Sequence, residues 1–177
     1  MINHRSWDDV RLVSLCRSSR DPPRHQLMPD AMLALIVAGA ALAIAIVRLS
    51  ILAVRTDNNS PARLVAELRR AQFGALVMAG VAGTYVGFAL TQSEGNGSGL
   101  DIALAVGFVV LASYAQTQEP ATALTLVAAG FGGHAVVDLL HGATLLPSAS
   151  DPEWYQTACA LYDVAVAGLC YLPILRR

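Results

Sequence analysis

The chain has no lysine: all 12 of its cationic side chains are arginine. That absence reads as base-composition bias in the genome rather than as chemistry, but charge of either sign is also scarce. Charged residues make up 14% of the 177 residues, against roughly 25% in soluble proteins. With a net charge of −1, nothing points to nucleic acid or another polyanion as partner. Cysteine is nearly missing as well. Cys16, Cys159 and Cys170 stand too far apart for a disulfide framework or a CxxC zinc pattern. What the chain has instead is apolar length. Its 55% hydrophobic content and mean hydropathy of +0.51 are too high for an ordinary soluble domain, and its size fits one domain.

Residues 1–27 are polar, with five arginines interleaved among aspartates and the helix-stopping pair Pro22-Pro23. This segment is expected to be a disordered tail. Met28, directly before the first apolar run, would serve as an alternative start, and that run is too long for a signal-peptide core. Cys16 in the tail reads as an incidental thiol.

Five apolar runs follow, at about residues 31–54, 72–90, 100–117, 121–143 and 155–175. A helix needs about 20 residues to cross a hydrocarbon core of roughly 30 Å. The expected fold is therefore an all-α membrane bundle of five transmembrane helices over residues 28–177, with the lipid bilayer as its first partner. Between the first two runs, Ser60 and Pro61 are suited to cap and open a helix. The arginines and glutamate that follow (Arg63, Glu67, Arg69, Arg70) are expected in a basic, surface-lying loop. Gly83-x-x-x-Gly87 in the second run is a close-packing pattern, and Trp154 stands where an interfacial aromatic would. With the tail set aside, arginines cluster after the first run and at the C-terminus. The positive-inside rule then puts the N-terminus outside and the C-terminus in the cytoplasm of a bacterial inner membrane.

Against this background one stretch is out of place. Gly130-Phe131-Gly132-Gly133-His134-Ala135-Val136-Val137-Asp138-Leu139-Leu140-His141-Gly142 lies in the fourth run, yet holds two histidines and an aspartate. In a helix, offsets of four and three residues put His134, Asp138 and His141 on one stripe. Ionisable groups at membrane depth are costly and mark functional sites. The alternative is a polar network that only locks helices together. On the fifth run Cys159 and Asp163 share a face. An antiparallel hairpin of the last two runs would set His134 against Asp163 and Asp138 against Cys159. Asp101 and Tyr85 fall in the same half of the membrane. Asp101 also reads as a first-turn acid favoured by the helix dipole, Cys159 as a small core residue, Tyr85 as an interfacial anchor and Cys170 as packing.

His134-x3-Asp138-x2-His141, followed by a proline-containing turn and the Cys159-x3-Asp163 pair, resembles a group of small bacterial multi-pass membrane proteins of unknown function. Their last two helices carry the same two motifs, and the likeness covers about residues 72–172. It includes the acid at Asp101 and the aromatic at Tyr85. Val137 and Gly142 stand where that group tends to have a tryptophan and a second histidine. The resemblance implies a site rather than a reaction.

Imidazole, carboxylate and thiolate together suit a divalent transition metal, with zinc first. The candidate ligands are His134, Asp138, His141 and Asp163, followed by Cys159 and Asp101. Three functions are open to such a chain. One is a metal-dependent hydrolase of a lipid or other amphiphile, architecturally like ceramidases, with Asp163 or Asp101 as base. A second is a metal-binding or metal-translocating protein, for which the inner half of the membrane offers almost no polar residues. The third is an assembly subunit without chemistry.

Overall fold

The computed structural model describes residues 24–57, 59–91, 98–146 and 152–175, and all regular structure among them is helical. In chain order the helices are α1 (Arg24–Arg55), α2 (Pro61–Thr91), α3 (Ser98–Ala115), α4 (Pro120–Gly142) and α5 (Glu153–Leu175). The expected tail lies outside the described residues up to residue 23, and from Arg24 onward the chain is already helical.

Four helices are long and apolar enough to cross a membrane. The exception is α3, whose 18 residues rise about 27 Å, just under the roughly 30 Å of a hydrocarbon core. The five-helix bundle thus stands, with α3 as its shortest member.

The chain forms two compact units, residues 1–41 and 42–177, and α1 contributes to both. In the first unit the helix leaves Met32, Leu33, Ile36 and Val37 exposed. Large aliphatic side chains turned outward in this way are suited to lipid. In the second unit α1 buries Ile46, Ser50 and Ala53, and the Ser50 hydroxyl satisfies itself on the Ile46 carbonyl at 2.7 Å.

Within the second unit α4 is central. It packs against α2, α3 and α5, most extensively against α5. The core joins Ile46 to Ala71, Ala75, Val77 and Met78 of α2, Leu124, Val127 and Phe131 of α4, and Val166 and Cys170 of α5. At Gly74 α2 packs tightly on its neighbours: a Cβ there would lie 2.8 Å from Val127 Cγ1 and 3.5 Å from Cys170 Sγ. Gly83 and Gly87 behave otherwise than their spacing predicts. They face open space, because Ala82, Tyr85 and Ala89 define the buried stripe of that part of α2.

The basic loop expected after α1 is also corrected. Ser60 does cap a helix, its Oγ accepting the Ala62 N–H at 3.2 Å, with Pro61 as first residue. The helix then runs on without a break, so Arg63, Glu67 and Arg70 occupy its first turns and point inward. Arg63 Nε donates to Glu67 Oε1 at 3.0 Å, and Arg63 Nη2 to the Pro173 carbonyl of α5 at 3.3 Å. Arg69 alone of this group is exposed.

Candidate metal centre

The far end of the bundle interior gathers the polar residues of four helices. α4 supplies His134, Asp138 and His141 from one buried stripe, with Phe131 and Ala135 beside them in the core. Its last turn closes on Thr144 at φ 58°, with Thr144 N–H on the His141 carbonyl (2.9 Å) and Leu145 N–H on the Leu140 carbonyl (3.0 Å). This paired closure is the Schellman pattern, and it fixes the helical turn that carries His141. α5 supplies Cys159 and Asp163, α2 Tyr85, and α3 Asp101. All seven side chains are buried.

Four of them meet. His134 Nδ1 lies 2.6 Å from Asp163 Oδ2 and 3.5 Å from Asp138 Oδ2. Cys159 Sγ is 3.8 Å from Asp163 Oδ2. One ligand atom from each of His134, Asp138, Cys159 and Asp163 can be chosen so that all lie within 4.8 Å of one another. Donors around a tetrahedral zinc at ordinary bond lengths are about 3.3–3.8 Å apart, so shifts of about an ångström would bring the four to one ion. The hairpin pairing expected from the sequence, His134 with Asp163 and Asp138 beside Cys159, is the one observed.

His141 stands apart from this set. Its Nε2 is 3.5 Å from Asp101 Oδ1, so the stripe of α4 divides: the upper part faces α5 and the last turn faces α3. A small cavity, about 10 Å³, joins the two parts; Tyr85, Asp101, Phe108, His134 and His141 line it. That is room for a single water. Both ring nitrogens of His141 are buried without a hydrogen-bond partner among the described residues, as are Asp138 Oδ2 and Asp163 Oδ1. Asp138 Oδ2 and His141 Nε2 still face His134 and Asp101 at 3.5 Å. A buried polar atom left with no partner at all costs about 1–3 kcal/mol, and a cation and a water would relieve that cost.

Tyr85, read from the sequence as an interfacial anchor, is part of the site. Its hydroxyl donates to Asp138 Oδ1 at 2.5 Å. Its ring also stands edge-on to His134 with centroids 5.0 Å apart, and Phe108 of α3 does the same at 4.8 Å. The imidazole is thus packed between two aromatic rings as well as bonded to Asp163. Above Tyr85, Tyr155 packs against Tyr85, Phe88 and Trp154, and its hydroxyl meets Thr84 Oγ1 at 2.6 Å. Phe108, Thr84 and Tyr155 carry no signal of this role in the sequence, since an aromatic or hydroxyl residue in an apolar helix is ordinary.

The charged stripe at the opposite end did have a signal. Arg63-x3-Glu67-x2-Arg70 repeats the spacing of His134-x3-Asp138-x2-His141, a helical stripe rather than a loop. Arg70 is fully buried there, and its three guanidinium nitrogens have no hydrogen-bond partner among the described residues.

No protein-family model, curated protein or solved structure matches the chain.

Proposed function

We propose that this multi-pass helical protein holds a divalent transition metal, zinc by preference, on His134, Asp138, Cys159 and Asp163. The observation that carries this reading is the convergence of four buried donors of three kinds within 4.8 Å. Imidazole and thiolate favour zinc over magnesium or calcium, which take oxygen ligands. A lock between helices needs carboxylates and a hydrogen-bond donor, which the His134 imidazole already supplies; it has no need of the Cys159 thiol at the same point. Asp101 and His141 then belong beside the metal rather than on it, and Tyr85 holds Asp138 in place.

Of the finer readings, hydrolysis of a lipid or other amphiphile fits better than translocation. The metal would supply Lewis-acid activation once Asp138 or Asp163 yields its position to water, since a catalytic zinc keeps one position open. The water-sized cavity lies between His134 and His141, and Asp101 is placed to orient His141 as acceptor of a proton from water there. A translocated cation would have to continue past Val77, Met78, Leu124, Val127 and Phe131, all buried and apolar. It would then meet two buried guanidinium charges, Arg63 and Arg70, against the single carboxylate of Glu67. Dehydration followed by like-charge repulsion opposes that route.

The orientation that goes with this reading puts the C-terminus in the cytoplasm of a bacterial inner membrane and the metal in the outer half. A reporter fused after Arg177 would then be active only in the cytoplasm; activity only outside reverses it.

Metal analysis of full-length protein, solubilised in detergent and purified without chelators, tests the central claim. About one zinc per chain is expected. Protein that carries no metal and takes up none on titration would reduce the site to a polar lock, leaving the assembly-subunit reading, and the hydrolase would fall with it.

A further inference from the structure

The corner between α1 and α2 carries an apolar groove with a charged rim. Leu49 and Leu52 of α1 and Ala62, Val65, Ala66 and Arg69 of α2 line a cavity of about 330 Å³, within the size range of sites that hold organic ligands. Five of the six lining residues are aliphatic, so the interior of the groove suits hydrocarbon. The polar group is Arg69, exposed on the outer face of α2.

Two more arginines extend the rim. Arg48, Leu52 and Arg55 are spaced at four and three residues on α1, which puts the arginines one on each side of the groove-lining Leu52 on the same stripe. Both are exposed. Arg69 stands on the stripe of Ala62 and Val65, seven and four residues earlier. Against these three positive charges the corner exposes one acid, Asp57, which already accepts the Asn59 N–H at 3.1 Å. The other charges nearby, Arg63, Glu67 and Arg70, are buried on the inward face, Arg63 paired with Glu67.

An apolar slot opening toward a surplus of guanidinium groups matches one kind of molecule in a bilayer. We infer that this groove is a binding site for an anionic phospholipid, its acyl chain against Leu49, Leu52 and Val65 and its phosphate on Arg69, with Arg48 and Arg55 at the rim. Guanidinium reaches phosphate through two parallel N–H donors. The long arginine stems follow the apolar wall while the charged ends rise to headgroup level. α2 has the length for this: its 31 residues rise about 46 Å, well beyond a core of roughly 30 Å, so its first turns lie among headgroups.

Native mass spectrometry of the full-length protein, released from nanodiscs containing equal phosphatidylglycerol and phosphatidylcholine, tests this directly. Phosphatidylglycerol is expected to be retained preferentially, and Arg69→Gln should lower that preference about fivefold, the effect of one arginine near a charged headgroup. Leu52→Trp, which fills the groove while keeping every charge, should lose the retained lipid as well. Equal retention of the two lipids, or a preference that survives both substitutions, overturns the site. Neither result depends on whether the protein holds zinc.

Discussion

His134 Nδ1 of α4 and Asp163 Oδ2 of α5 lie 2.6 Å apart in a fully enclosed contact. They are 29 residues apart in the chain, on the two helices that pack most extensively against each other. The same hairpin register brings ligand atoms of Asp138 and Cys159 within 4.8 Å of this pair. On the metal-binding reading proposed above, it separates residues that would hold the ion from those that would stand beside it.

His134→Ala and Asp163→Ala are expected to abolish stoichiometric zinc. His141→Ala should weaken it by no more than about 10–100-fold, as changes outside the ligand set do. Zinc titration of the three purified variants separates the cases. Loss of metal in His141→Ala as complete as in His134→Ala would place His141 among the ligands.

Tyr85→Phe removes the donor to Asp138 Oδ1 and little volume. A carboxylate oxygen left buried without its partner costs about 1–3 kcal/mol. Lower thermal stability in detergent and weaker zinc binding are expected together. Unchanged zinc affinity would show that Asp138 does not depend on Tyr85 for its position.

Glu67→Ala strips the partner from Arg63 at a buried position. An uncompensated buried charge costs about 3–5 kcal/mol, so this variant should unfold at markedly lower temperature or fail to accumulate. Replacing Arg63, Glu67 and Arg70 together by apolar residues should cost much less, because Glu67 is also the carboxylate that faces the buried Arg70. Equal losses in the single and triple variants would contradict a buried charge cluster.

Gly74→Ala and Gly83→Ala are chemically identical changes on one helix with opposite expected outcomes. The first puts a methyl 2.8 Å from the stiff, β-branched Val127 and should destabilise by about 1–3 kcal/mol. The second meets nothing within 4 Å and should stabilise by about 0.5–1 kcal/mol. Thermal unfolding of both variants in one detergent is the comparison to make.

The sequence by itself determined that the chain is a bundle of apolar helices. Runs of this length leave the backbone no partner in lipid except itself, which forces helix. It also determined the two stripes His134/Asp138/His141 and Cys159/Asp163, because helical offsets put them on single faces whatever surrounds them. Ser60 and Pro61 marked the start of α2 for the same local reason.

Only the tertiary structure decided where those faces turn. Helices rich in Ala, Gly, Val and Leu on every side offer no hydropathy difference to fix their rotation, so contact alone selects the inward stripe. That is why Gly74 is packed while Gly83 and Gly87 are not, and why Tyr85 meets Asp138. The contact of His141 with Asp101 depends on α3 lying against the last turn of α4. Arg63, Glu67 and Arg70 were hidden for a related reason: charge next to an apolar run reads as surface, and only the Glu67 carboxylate and the Pro173 carbonyl of α5 make an inward face affordable.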